Sequence, residues 1–214
     1  WSFVTGGVYT YVKRMMSKFS GEVSIGVNIS EVKRNSVGAS IKLDSGEVIK
    51  FDKVVFATTP GAVLNILGDP TESEIRLFGP WKDREFHTIA HQDSSIYDGY
   101  GQVYRTPMDV FLNADQRTIG YNTSMNEVYR IQGGRSYSFA YGLDEIVPAD
   151  HVLHSHPHTV PAYTSDAYQT RHAISASNGQ NHTYYAGAYL GNGLHEGAVS
   201  SALSVAALLD GLQL

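Results

Sequence analysis

A chain of 214 residues, 42% of them hydrophobic and 17% charged, is too apolar for disorder and long enough to bury a sizeable core. Its net charge of -5 supplies no basic face, so nucleic acid is not expected as a partner. The absence of cysteine removes disulfides, thiolate nucleophiles, cysteine metal sites and cofactors attached through sulfur. No apolar run approaches the ~20 residues of a membrane span, no signal-peptide pattern opens the chain, and a cytoplasmic location is expected.

The chain begins at Trp1, where a strand or helix would already be running, and this reads as a fragment. Residues 8–19 carry apolar side chains at Val8, Tyr11, Val12, Met15, Met16 and Phe19, the spacing of a helix, with Gly6-Gly7 as the turn into it. Residues 22–27 alternate like a strand, and 29–33 follow as another. Residues 35–38 read as a turn, 39–43 as a strand, 44–47 as a hairpin turn and 48–51 as the returning strand. The continuous apolar run at 53–57 predicts a strand buried on both faces. Thr58-Thr59-Pro60-Gly61 ends it, a helix follows over 62–67, and Asp69-Pro70-Thr71 opens a second short helix reaching Phe78. From Pro80 to His158 the chain is rich in Tyr, Asn, Asp and Gly, with short alternating runs such as 135–141, which predicts a mostly antiparallel sheet with loops. A strand at 182–187, a glycine-rich loop at 188–193 and a helix over 195–212 complete the order. That helix lines one face with Gly197, Ala198, Ser201, Ala202, Val205 and Ala206, suited to close packing on a sheet.

A strand, a glycine loop and a helix N-terminus together make an anion site, because the first helical turn has unpaired N–H groups and a partial positive charge. Gly191-Asn192-Gly193 with Gly197 has the look of a dinucleotide fingerprint, but that motif needs a further strand one crossover later. An ordinary strand-to-helix connection with turn glycines reads the same way.

The stretch from Phe51 to Pro60 (an acidic residue, an apolar strand, then Ala57-x-x-Pro60) resembles a segment of the flavin amine oxidases. Gly6-Gly7 with its helix, followed by Ile29 to Arg34, resembles the segment of that family that crosses the adenosine half of FAD. Tyr185-Ala186-Gly187-Ala188-Tyr189 with His195-Glu196-Gly197-Ala198 resembles its closing motif. Ala90-His91-Gln92-Asp93, Tyr121 to Asn126 and His156-Pro157 are similar to segments of a group of NAD/FAD-binding proteins with the same fold. The resemblance covers nearly all of the chain. It implies an α+β chain in which residues 1–66 and 180–214 are the C-terminal part of an FAD-binding domain and 67–179 a substrate domain with a mostly antiparallel sheet. It also implies cofactor contacts. Ile29 would use its backbone near the adenine, and Gly187, Ala188 and Tyr189 would line the phosphate and ribityl region. Leu194, His195, Glu196 and Ala198 would meet the isoalloxazine, mainly through backbone N–H groups.

Three features depart from the family pattern. No strand–GxGxxG–helix unit is present, so FAD binding by this chain alone is expected to be weak or absent, and the chain alone inactive. Leu194 stands where amine oxidases usually carry an aromatic wall of the amine cage, and leucine has no π face. No lysine follows Lys82 to hold a water near the flavin. The expected parent is an oxidoreductase that moves a hydride from a small apolar or amine-bearing substrate to FAD. A non-enzymatic binding module, or a flavin-dependent lipid or carotenoid desaturase or isomerase, is the alternative. Self-association is expected through the surface that the missing N-terminal unit would cover.

Other candidates have more than one reading each. His151, His154, His156 and His158 would suit zinc or copper, a proton-transfer role, or simply a surface strand of the substrate domain; alternation places the last three on one face, with Pro157 interrupting. His195 and Glu196 could serve as acid and base, although a glutamate in a first turn is also a plain dipole partner. The 14 tyrosines either line a substrate cavity or fill a core.

Overall fold

The computed structural model describes residues 4–100, 106–132 and 137–211. Trp1, Leu212 and the start of the 135–141 run lie outside the described residues.

The N-terminal helix α1 (Tyr9–Met16) is shorter than its apolar spacing suggests and buries none of its residues. Residues 22–27 are not a strand, contrary to their alternation. Val23, Ile25 and Val27 are exposed, and no strand lies beside them among the described residues. Alternation specifies a strand only where a partner and a buried face exist.

Next come β1 (Ile29–Arg34), β2 (Ala39–Leu43) and β3 (Val48–Phe51), an antiparallel meander. Asn35 Oδ1 accepts the N–H groups of Val37 and Gly38 at 2.8 and 3.1 Å, an Asx turn that closes the first hairpin. β4 (Val54–Phe56) pairs in parallel with β10 (Thr183–Tyr185), which brings two segments distant in sequence together. Val54 and Phe56 are buried but Val55 is 41% exposed, so this strand is covered on one face rather than two.

α2 (Pro60–Ile66) starts on a proline, whose fixed φ suits the first helical position. α3 (Glu72–Phe78) carries a complete capping box between Thr71 and Glu74. α5 (Ser165–Ala176) was not foreseen from the sequence and is capped by Thr164. α6 (His195–Leu209) ends the described fold. Val32, Phe56, Val63, Phe78, Trp81, Ile174, Tyr185 and Tyr189 share one core between these helices and strands. Trp81 Nε1–H donates to Thr170 Oγ1 at 3.0 Å, tying α5 to the segment after α3.

The remaining strands, β5 (Asp83–His91), β6 (Met108–Leu112), β7 (Thr118–Ser124), β8 (Ser138–Tyr141) and β9 (Val152–Pro161), make the expected antiparallel sheet in the order β6-β7-β8-β5-β9. α4 (Met125–Tyr129) follows β7. One sheet face packs on a second core of Ile89, Ile96, Phe111, Ala140, Leu143 and Val147. Pro157 does not interrupt β9. The strand is at the sheet edge, and the residue opposite, His87, uses its carbonyl to accept from Gly142 N–H at 3.1 Å on the other side. The N–H that Pro157 lacks would therefore have pointed out of the sheet, where none is needed.

Candidate functional site

The closing strand β10 is fixed from below by a buried ion pair. Arg34, with a side chain only 3% exposed, forks onto Glu74 at 2.5 and 2.9 Å and reaches Asp69 Oδ1 at 3.0 Å. Tyr185 on β10 donates its hydroxyl to Glu74 Oε1 at 2.8 Å. Burial alone would raise the Glu74 carboxyl. Hydrogen bonds from Arg34, the Thr71 backbone and Tyr185 outweigh it and hold the group at about 2. Burial and then the neighbouring carboxylate push the Tyr185 phenol above its ordinary range, so it stays a donor. One ionic knot thereby joins β1, α3 and β10.

Beyond Tyr185 the chain turns toward α6. Ala186 N–H donates to Phe56 O at 3.0 Å, extending the pairing with β4 by one residue. The Ser201 hydroxyl accepts from Gly187 N–H at 2.9 Å and lies 3.1 Å from the Gly187 carbonyl, which locks the strand end onto α6. A single 3₁₀ turn spans Ala188–Leu190. A Cβ at Gly191 would stand 2.6 Å from the Gly197 Cα, so this pair of glycines sets how closely the loop lies on the helix. Asn192 Oδ1 accepts from Leu194 N–H at 3.0 Å and Gly197 N–H at 3.2 Å, capping α6 from outside the N-cap position itself.

These bonds decide which donors remain. Leu194 N–H is taken by Asn192, and Ala198 N–H donates to Leu194 O at 3.2 Å. Among the described residues the backbone N–H groups of His195 and Glu196 have no acceptor, and both residues are exposed. The His195 ring meets Tyr11, with Nδ1 3.2 Å from the phenol oxygen, and this is the hydrogen bond that holds α1 against the start of α6. Glu196 Oε1 accepts from the Ser200 hydroxyl at 3.2 Å one turn on, as a first-turn dipole partner does.

Gly187, Ala188, Tyr189, Leu194, His195, Glu196 and Ala198 thus lie on one short connection. Tyr189 turns its side chain into the core against Trp81, with ring centroids 5.4 Å apart, so only its backbone faces the loop. Among the described residues its buried hydroxyl has no partner, and burial raises the phenol. Leu194 is exposed. Ile29 stands elsewhere, at the start of β1 opposite Leu43, and no hydrogen bond among the described residues joins it to this connection. His154, His156 and His158 share one face of β9 as their alternation requires. Among the described residues no group of three or more His, Cys, Asp or Glu is placed to hold a metal ion. Sequence reasoning did not single out the Arg34–Glu74–Tyr185 knot. Its one local signal was the Thr71-x-x-Glu74 spacing of a capping box.

Residues 2–104 match the family model described as flavin containing amine oxidoreductase. No curated protein sequence matches the chain. Among solved structures, a putrescine oxidase redesigned in its cofactor binding superposes with a TM-score of 0.65 at 12% identity, over 96% of this chain and 53% of its own. A CLA-producing fatty acid isomerase from P. acnes gives 0.56 at 14% identity, over 85% and 47%. Cyclohexylamine oxidase from Brevibacterium oxydans IH-35A gives 0.55 at 12% identity, over 86% and 48%. The chain therefore spans about half the length of the structures it resembles. No helix of the described residues is long and apolar enough to cross a membrane. The family model thus matches just under half of the chain, and the fold shared with these structures extends over nearly all of it.

Proposed function

We propose that the chain forms the C-terminal portion of an FAD-dependent oxidoreductase. In this reading residues 1–66 and 180–214 belong to the FAD-binding domain and 67–179 to the substrate domain. The observation that carries it is the pair of acceptor-free N–H groups at His195 and Glu196, at the head of a 15-residue helix and beside a glycine loop. When bound, FAD would supply hydride acceptance, and its reduced ring would be anionic. The α6 N-terminus offers backbone donors to an oxygen that gains charge, and the helix dipole adds to them. Gly187 and Ala188 would pass their backbone along the ribityl and phosphate region, with Tyr189 contributing main chain only. Ile29 would meet the adenine end, and Leu194 would form an apolar wall in place of an aromatic one. The substrate is a small molecule, apolar or amine-bearing, and the chain alone would hold FAD weakly.

Fluorescence-monitored FAD titration of the purified chain tests this. The expected outcome is weak binding that falls further in Gly187→Val. FAD binding equally in the wild-type chain and in Gly187→Val would remove the site from this loop.

The exposed apolar side chains of α1 and α6, including Tyr9, Met15, Leu203 and Val199, support self-association through that surface. Light scattering that shows a monomer at micromolar to millimolar concentration would dismiss it.

A further inference from the structure

The five-stranded sheet has one covered face and one open face, and the strand registers settle what the open one carries. Phe86 and Thr88 of β5 lie beside His158 and His156 of β9, and Thr88 lies beside Tyr141 of β8. Tyr141 in turn pairs with Tyr121 of β7, and Phe139 with Thr123. Since side chains alternate along a strand, all of these project from the same side, together with Arg84. The ring contacts agree. Phe86 stacks on Tyr141 at 4.6 Å and Tyr141 on Tyr121 at 4.9 Å, a ladder of three aromatic rings across three strands. The His156 and His158 rings stand 4.9 Å apart beyond its end. Phe139, Val110 and Met108 on this side are at least 39% exposed.

The charge on this face is one-sided. Arg84 and the three histidines occupy the β5–β9 edge, and no carboxylate projects from this side of the five described strands. The far end opens into a cavity of about 790 Å³ lined by Met108, Thr123, Val128 and Tyr129, where Glu127 and Arg130 also stand. From β9 to β7 is three strand spacings, roughly 14 Å. The surface is therefore an aromatic floor with donors and a fixed cation at the β9 end and charges of both signs, Glu127 and Arg130, at the other.

We propose that this open face binds an elongated, flat apolar acid, with its anionic group at Arg84, His156 and His158 and its apolar body over Phe86, Tyr141 and Tyr121. The proposal rests on the reading of 67–179 as the substrate domain and sharpens it, because an amine would meet the wrong charge at the β9 end. Arginine and imidazole N–H groups recognise an anionic oxygen, and the ring faces accept a planar body.

The test uses the full chain and three matched probes, biphenyl-4-carboxylate, biphenyl-4-methanol and biphenyl-4-methylamine, titrated by calorimetry with and without FAD. The carboxylate is expected to bind about tenfold more tightly than the alcohol, with the amine weakest. Arg84→Gln should remove the advantage of the carboxylate and leave the alcohol unchanged. Tyr141→Ala should weaken all three probes. The exposed Phe139→Ala should weaken them as well, without risk to folding. An amine that binds as well as the acid, an unchanged preference in Arg84→Gln, or no binding by any probe would overturn the proposal. If FAD binds and no probe does, the flavin reading stands and this one falls; if the acid binds and FAD does not, this proposal stands, since weak or absent FAD binding is what the flavin reading expects of this chain alone.

Discussion

Around Arg34 the chain buries a full ion pair, whereas inside the five-stranded sheet it buries hydrogen bonds between uncharged side chains that run out to a half-buried carboxylate, Asp109. There His91, fully buried, accepts at Nδ1 from Asp93 N–H at 3.2 Å, so its proton sits on Nε2 and is donated to Asn122 Oδ1 at 2.9 Å. Asn122 Nδ2 then donates to Tyr97 Oη at 2.9 Å, and the Tyr97 hydroxyl donates to Asp109 at 2.8 Å. The Arg34 knot joins three elements distant in sequence, and the His91 run crosses one sheet, from β5 past β8 to β7 and through Tyr97 to β6. A buried charge pair is costly to desolvate and worse to break, while uncharged side chains lose about one hydrogen bond at a time. The two regions should therefore fail differently when cut.

The largest effect is expected at the knot. Arg34→Met leaves Glu74 buried without its partner and should cost about 3–5 kcal/mol in urea unfolding. Arg34→Met combined with Glu74→Leu should recover much of that, and a double variant as unstable as the single one would mean that the pair itself is the stabilising feature. Acid provides the same cut without mutation. The Glu74 carboxyl is lowered from 4.5 to about 2 in the folded state, so its contribution is fully present above pH 4.5 and is lost as the pH falls toward 2. That loss is on the order of 3 kcal/mol. Urea melts between pH 6 and 2 should show it, and Glu74→Gln should flatten the profile. In the sheet, Asn122→Ala leaves the His91 Nε2–H without an acceptor and should cost about 1–3 kcal/mol. Should it cost as much as Arg34→Met, the contrast between the regions disappears. Asn192→Ala removes the cap shared by Leu194 and Gly197 and should cost about 1 kcal/mol of thermal stability. The exposed His154→Ala should stay within about 0.5 kcal/mol of the parent chain.

Much of this was legible in the sequence where the controlling contacts are local. Asp44-Ser45-Gly46 announced the β2–β3 hairpin, and Pro60 and Thr71 marked two helix starts. α5 escaped because it buries only Ala167 and Ile174, too narrow a stripe to read as an apolar face. Residues 22–27 misled for the opposite reason, since their alternation has no partner strand among the described residues to pair with. At the candidate site the strand, loop and helix were visible, but which N–H groups stay open depends on where Asn192 points its oxygen. The alternation of His154, His156 and His158 could be seen, whereas the aromatic ladder needs the registers of three strands spread over 56 residues, from Phe86 to Tyr141.

Pro157 has a consequence for how copies of this molecule meet in solution. β9 is a ten-residue edge strand, long enough to serve as a template on which a foreign strand could grow into a fibril. At its middle the outward row of donors has a gap, because the proline has no N–H to offer. An incoming strand would have to leave a carbonyl unanswered there, in the centre of the new ladder. Residue 157 thus acts as a guard against runaway sheet growth. Pro157→Val, which restores the donor, is expected to make the protein form thioflavin-positive aggregates faster on warming.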